Sequence, residues 1–194
     1  MSSLQEIADA PSEPGIKKYR LIYADPPWTY DDKANAGQRG SGYKYSTMSI
    51  EEICAMKVAG ITAIDCLLAM WWVPTMPLEA LRVVEAWGFT MKTMKGFTWH
   101  KMTKNGKSHI GMGNYTRANT EDCLFAIKGA PGRRDAGVRQ FISAGIGRHS
   151  AKPPEARDRL VKLVGDVPRV EMFARQSTDG WDVFGDEVED SISL

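Results

Sequence analysis

The sequence predicts an α/β fold on a mostly parallel sheet with helices over both faces. Apolar runs of strand length alternate with stretches of helical periodicity. Within Asp65–Val73 the residues from Cys66 onward are apolar without interruption, as in a strand buried on both sides. The first apolar run stops at two consecutive prolines, which ends its sheet pairing at a strand tip.

Taken in order, Tyr19–Ala24 is the first buried strand, ending at Asp25-Pro26-Pro27-Trp28. From Trp28 to Ser46 the chain is polar and glycine-rich and reads as a surface loop. Ser49 followed by Glu52 is a capping-box pattern, and Ile50, Ile53 and Met56 recur at helical spacing, so a helix is predicted from about Ser49 to Val58. Asp65–Val73 is the next strand. Pro77–Trp87 follows as a helix with Leu78, Leu81, Val83 and Val84 as its apolar face and Gly88 as its stop. Phe89–Met102 and Asp122–Lys128 read as strands, separated by a basic, glycine-rich loop over Thr103–Ala118. Lys128–Arg148 is a second basic, irregular stretch. Pro153 and Pro154 open a helix through Leu160, Val161 and Val164, and Arg169–Ala174 is a last strand. Residues 1–18 read as a loose tail and residues 19–194 as one domain.

Composition limits the function classes. The longest apolar run, Cys66–Val73, is far short of the roughly 20 residues that cross a bilayer, and the first residues lack the apolar centre of a signal peptide. A cytoplasmic protein without a membrane partner is expected. The three cysteines and three histidines show no ligand spacing, so no metal is expected. With 25 Lys and Arg against 24 Asp and Glu, the molecule as a whole is not drawn to nucleic acid. Any such contact must use local basic patches.

Ligands of an α/β sheet bind at the carboxyl ends of its strands, where the Asp25–Trp28 turn sits. An aromatic amine is a poor nucleophile because its lone pair is delocalised into the ring. A carboxylate from Asp25 and the backbone carbonyl of Pro26 could each accept one amino hydrogen, with the two prolines fixing their separation. Trp28 would offer a flat face for a base. Four residues taken alone also read as an ordinary strand-ending turn.

Further motifs accompany that turn: Tyr45-Ser46-Thr47-Met48-Ser49, Trp71-Trp72, Trp87-Gly88-Phe89, Trp99-His100-Lys101, Asn119-Thr120-Glu121, His149-Ser150-Ala151-Lys152-Pro153 and Glu171-Met172-Phe173-Ala174-Arg175. With Ile22–Trp28 and in this order, they resemble the adenine methyltransferase family typified by the catalytic subunit of the eukaryotic messenger-RNA adenosine methyltransferase, which has bacterial and phage DNA-modifying members. The resemblance implies a Rossmann-like methyltransferase fold, doubly wound, with the catalytic tetrad ahead of the cofactor segments in a permuted order. It implies an enzyme that uses S-adenosylmethionine to methylate the N6 amine of adenine in nucleic acid. Asp25, Pro26, Pro27 and Trp28 are then catalytic. Ala24, Asp25, Lys152, Arg175, Asp186 and Glu187 would bind the cofactor, with Lys152 on its carboxylate. Relatives often carry an amide pair where this chain has Gly185-Asp186-Glu187, and acidic side chains can still accept from ribose hydroxyls.

Tyr45, Lys101, Asn119 and Glu121 are the candidate substrate contacts, with loop packing as the alternative for Tyr45. Trp71 and Trp72 read as core. Lys101, Lys104, Lys107 and His109 in one loop and Arg133, Arg134 and Arg139 in another would flank the site if both loops lie at the carboxyl edge, with solvated loops as the alternative. DNA is favoured over RNA as partner, in the manner of a site-specific DNA adenine-N6 methyltransferase. A non-catalytic nucleic-acid-binding subunit is the rival from another class, and a homodimer is a further expectation.

Overall fold

The computed structural model describes residues 17–29, 47–113, 115–147 and 151–194. Most of the expected tail, most of the expected loop after Trp28, and Tyr45, His149 and Ser150 lie outside the described residues. The elements are β1 (Tyr19–Ala24), α1 (Ile50–Ala55), α2 (Val58–Ile61), β2 (Thr62–Trp72), α3 (Pro77–Ala86), β3 (Thr90–Met102), β4 (Thr120–Lys128), β5 (Phe141–Gly145), α4 (Pro154–Val164), β6 (Arg169–Met172) and β7 (Asp182–Phe184).

The strands form one seven-stranded sheet in the order β5-β3-β4-β2-β1-β6-β7. Four of its six pairings are parallel, and β4 runs against both of its neighbours. Side chains alternate across the central strands, so the sheet has a core on each face. One contains Ile22, Ala24, Cys66, Leu68, Met70, Val170 and Met172 and is covered by α1, α2 and α3. The other contains Leu21, Tyr23, Leu67, Ala69, Trp71, Phe97 and Trp99 and is covered by Ala156 and Leu160 of α4. Burial on both faces explains the nearly unbroken apolar run in β2. The register slips between Tyr19 and Leu21, and these two residues accordingly sit in opposite cores.

The capping box forms as expected. Ser49 N–H donates to Glu52 Oε2 at 2.8 Å, and Glu52 N–H donates to Ser49 Oγ at 3.2 Å. The helix it starts stops at Ala55, and α2 follows as a separate turn. Trp87 Nε1–H donates to the Ile53 carbonyl at 2.9 Å, tying the end of α3 to α1. Gly88, at φ 80°, closes that end as predicted.

The apolar face predicted for α3 needs correction. Its buried stripe is Ala80, Val83 and Val84, continued by Trp87, whereas Leu78 is 70% exposed and Leu81 also faces solvent. Steps of about 100° per residue put 80, 83, 84 and 87 on one side of the helix; Leu78 falls on the other and Leu81 on the flank. Two strands were not foreseen. β5 is an edge strand within the stretch read as irregular, and β7 is three residues long. The strand predicted to reach Ala174 stops at Met172, because Phe173 has φ 61° and turns the chain out of the sheet.

On the α4 face, Arg157 donates from Nε to Glu171 Oε2 at 2.6 Å and from Nη2 to Glu171 Oε1 at 2.8 Å. Burial works to lower the Arg157 pKa, and the facing carboxylate outweighs it, so the net shift is upward. The pair fastens α4 to β6 in the core. Arg157→Ala is expected to cost about 3–5 kcal/mol by leaving Glu171 buried and unpaired, while a joint Arg157→Met, Glu171→Leu replacement costs much less. Denaturant midpoints of the two variants check this.

Candidate functional site at the carboxyl edge

Strand directions determine which residues meet. β1, β2, β3 and β6 end at the same edge of the sheet, and β4, being reversed, begins there. Glu121, second residue of β4, is therefore at the edge where β1 delivers Asp25 and β3 delivers Lys101. Lys152, on the segment that leads into α4, completes the group.

The Asp25–Trp28 turn is pinned on several sides. Trp28 N–H donates to the Pro26 carbonyl at 2.9 Å, and Met48 N–H donates to the Pro27 carbonyl at 3.0 Å. Trp28 Nε1–H donates to the Trp71 carbonyl at 3.1 Å. These bonds draw the indole back onto β2, where it is 5% exposed within the core under α1. In the described conformation the ring braces the turn instead of standing open as the sequence reading expected of a stacking face.

Four charges of alternating sign run along the edge. Asp25 Oδ2 lies 2.6 Å from Lys152 Nζ, Lys152 Nζ lies 3.4 Å from Glu121 Oε2, and Glu121 Oε1 pairs with Lys101 Nζ. The Lys152 side chain is 11% exposed. Its ammonium stands over the Trp71 ring at 5.5 Å and that of Lys101 over Trp99 at 5.4 Å, both within cation–π range. Burial alone would push the Lys152 pKa down, yet Asp25 and Glu121 outweigh it and the net shift is upward. For Glu121 burial pushes upward, and the Lys152 and Lys101 ammoniums reverse that to a net lowering.

Asn119 stands apart from this group. Its Nδ2 donates to Ser108 Oγ at 3.1 Å, and Ser108 Oγ is also 2.8 Å from His100 Nε2. A further group lies along the edge past β1. Ala174 N–H donates to the Phe184 carbonyl at 3.0 Å, and Arg175 Nε lies 3.7 Å from Glu187 Oε1 beside exposed Asp186. A Cβ on Gly185 would stand 2.3 Å from the Ala174 carbonyl oxygen, so only glycine allows the ends of β6 and β7 to approach so closely. Tyr45 lies outside the described residues.

The two basic loops do not share an edge. β4 delivers the chain at Lys128 to the amino-terminal edge, opposite the Asp25 turn. There Arg134 N–H donates to the Leu163 carbonyl at 2.7 Å, and the Arg139 carbonyl accepts from Arg159 at 2.5 Å. Arg133, Arg134 and Arg139 are therefore not beside the site, because the reversal that brings Glu121 in carries them away. Lys101 is engaged by Glu121, which leaves Lys104, Lys107 and His109 of the other loop as the nearby basic side chains. The Glu121–Lys152 contact had no sequence signal, since 31 positions separate the two and only the reversed strand brings them together.

A half-buried charge cluster beside a proline-locked strand tip, on a sheet with helices over both faces, is the layout of an α/β enzyme that takes its ligands along the carboxyl edge. The MT-A70 family model matches residues 19–187. The chain is 36% identical over 193 residues to the type II methyltransferase M.MunI of a Mycoplasma species, covering 90% of this chain and 80% of that protein. It is 30% identical over 176 residues to the N6-methyladenosine RNA methyltransferase MTA1 of Cryphonectria parasitica, covering 88% of this chain and 52% of the relative. With the N(6)-adenine-specific methyltransferase METTL4 of Homo sapiens it shares 26% over 189 residues, 89% of this chain and 38% of the relative. The chain belongs to the MT-A70 family, whose members are Rossmann-like adenine methyltransferases dependent on S-adenosylmethionine.

The charge cluster sets a pH window. Glu121, with its pKa lowered below the ordinary 4.5, stabilises the fold above that pH, and the contribution is lost as pH falls through the lowered value. Lys152, raised above 10.5, stabilises below that pH and loses its contribution as pH rises through the raised value. Glu121→Gln is expected to flatten the fall of stability below pH 4.5 relative to the parent, measured as urea midpoints across pH.

Proposed function

We propose that this chain transfers the methyl group of S-adenosylmethionine to the N6 amine of adenine in DNA, within a defined recognition sequence, at the Asp25–Trp28 turn. The observation that carries this reading is the pair of acceptors there. Lys152 takes Oδ2 of Asp25 at 2.6 Å, and among the described residues Oδ1 has no hydrogen-bond partner and the Pro26 carbonyl accepts once, from Trp28 N–H. A carbonyl oxygen has two lone pairs, so one remains for a ligand.

Each acceptor takes one hydrogen of the amine, and the two prolines keep them at a set separation. The amine is thereby held in a geometry that takes its lone pair out of conjugation with the ring and localises it on nitrogen. Asp25 Oδ1 is also placed to receive the proton that the methylated amine must lose. Trp28 contributes by bracing the turn through its bond to Trp71. Glu121 and Lys101 secure Lys152 from the substrate side, and Asn119 and Tyr45 belong to the segments that meet the nucleic acid.

The residues present fit the cofactor by their donor chemistry. A lysine ammonium has three donors; Asp25 and Glu121 engage two, which leaves one for a carboxylate of the methionine end. Ala24 and Asp25 would border that end, and Asp186 and Glu187 beside Arg175 would offer acceptors for ribose hydroxyls. When bound, S-adenosylmethionine supplies an electrophilic methyl group on a sulfonium. The order of these segments, tetrad first, is the permuted one.

DNA is favoured because the type II methyltransferase M.MunI is matched over 80% of its length, whereas the relative named for RNA is matched over 52%. An intact tetrad together with Lys152 speaks against a subunit without chemistry. Labelled cofactor offered with duplex DNA, single-stranded DNA and RNA, followed by mass spectrometry of the nucleosides, tests the reading. N6-methyladenine in DNA is expected, and label confined to RNA would overturn it. Asp25→Ala is expected to lower transfer at saturating cofactor by about 100-fold or more, beyond any weakening of cofactor binding, read from initial rates and calorimetry. Lys152→Ala is expected to weaken cofactor binding by roughly 10- to 100-fold, the worth of one charge-assisted hydrogen bond.

A further inference from the structure

Between β3 and β4 the chain leaves the carboxyl edge and returns as a pinned arm. Met102 and Ser108 form an antiparallel bridge. Lys101 N–H donates to the Asn119 carbonyl at 2.9 Å, His109 N–H to the Lys101 carbonyl at 2.8 Å, and Gly111 N–H to the Ala118 carbonyl at 2.8 Å. A Cβ on Gly111 would stand 2.5 Å from the Ala118 carbonyl oxygen, and one on Gly113 2.1 Å from that of Thr116. The two halves of the arm thus approach as only glycine permits.

Its outer part presents large apolar side chains to solvent. Ile110 is 73% exposed, Met112 77% and Tyr115 103%. Clustered exposed apolar groups mark interaction sites. The chemistry of the connection indicates the partner: Lys104, Lys107 and Arg117 belong to it, Arg117 Nη1 lies 3.5 Å from Met112 Sδ, and no Asp or Glu occurs from Lys101 to Thr120 in a chain whose totals are 25 basic and 24 acidic. An apolar tip on a basic, acid-free connection complements a polyanion that also offers apolar faces, which describes stacked bases between phosphates. Against the same arm on a second copy it would set like charges together.

We infer that this arm is a wedge that enters duplex DNA beside the target adenine, its tip filling the stack as the adenine leaves to reach Asp25. The inference rests on the DNA-adenine reading above. An adenine inside a duplex cannot bring its amine to a strand tip, so it must be extruded, and an inserted apolar group replaces part of the lost stacking. The arm is rooted at Lys101 and Glu121, inside the charge cluster. Six positions separate Tyr115 from Glu121, at most roughly 20 Å of extended chain, so the tip stays within a few base pairs of the site.

The test compares the parent with Ile110→Ser, Met112→Ser, Tyr115→Ser combined, and with Tyr115→Ser alone, after matched unfolding midpoints show the variants folded. Rates are measured on three DNAs of one sequence: the target adenine paired, the same adenine opposite an abasic site, and the single strand. The combined variant is expected to lose at least about ten-fold more rate on the paired adenine than on the unpaired ones, with a smaller loss of the same pattern for Tyr115→Ser. The rise in 2-aminopurine fluorescence that the parent causes at the target position is expected to disappear. Equal losses on all three DNAs, or none, would overturn the wedge, as would a parent active on single strands alone; each leaves the DNA-adenine reading standing. A parent dimer that the variant converts to monomers, seen by light scattering with equal losses throughout, would assign the tip to a second copy. A parent that methylates none of the three DNAs removes the underlying reading and the wedge with it.

Discussion

The ammonium of Lys152 is almost fully withdrawn from water, and such a charge is tolerated only with carboxylates close by to compensate its lost hydration. Asp25 and Glu121 supply them from different strands. Asp25 follows a strand that ends at the carboxyl edge, and Glu121 opens the one strand of the sheet that begins there. The cluster therefore depends on the reversal of β4. In a wholly parallel sheet the first residues of that strand would lie at the far edge, and Lys152 would lose one of its two carboxylates.

The same reversal shapes the surroundings. It makes the β3–β4 connection an arm at the site, and it sends the arginine-bearing stretch after β4 to the opposite edge, against the end of α4. Below the edge, Trp71 links the cluster to the core. Its ring lies under Lys152, and its Nε1–H donates to the Tyr23 hydroxyl at 2.7 Å. The Tyr23 ring faces the Arg157 guanidinium at 5.7 Å, which in turn is locked to Glu171. Polar groups thus continue from the site into the α4–β6 pairing, each with a partner, as buried polar groups require.

A net charge of only +1 gives the whole molecule little pull toward a polyanion, so the proposed wedge would have to draw nucleic acid in through the acid-free arm. On that reading few cations take part, so both the affinity and its fall with salt are modest. On the proposed reading most of the chemistry at the turn is positional: the acceptors would be backbone and carboxylate oxygens held by prolines and by the braced Trp28, not groups that must be brought in from elsewhere.

Much of this was legible in the residues. β1 was read to its last residue because two prolines end it, the capping box of α1 because Ser49 and Glu52 are local partners, and most of β2, though not its start at Thr62, because burial on both faces leaves the apolar run from Cys66 to Trp72. The tetrad and Lys152 could be singled out as motifs. What local patterns could not contain was strand direction. Nothing in Thr120–Lys128 says that it runs backwards, because an apolar run reads the same in either sense, and so Glu121 could not be set against Lys152 nor Arg133 and Arg134 removed from the site. Edge strands β5 and β7 escaped for a related reason: they are short and half exposed, and their neighbours in the sheet, not their own residues, make them strands. Sequence determined the elements whose causes lie within a few residues; the tertiary structure decided every contact that hinges on which way a strand runs.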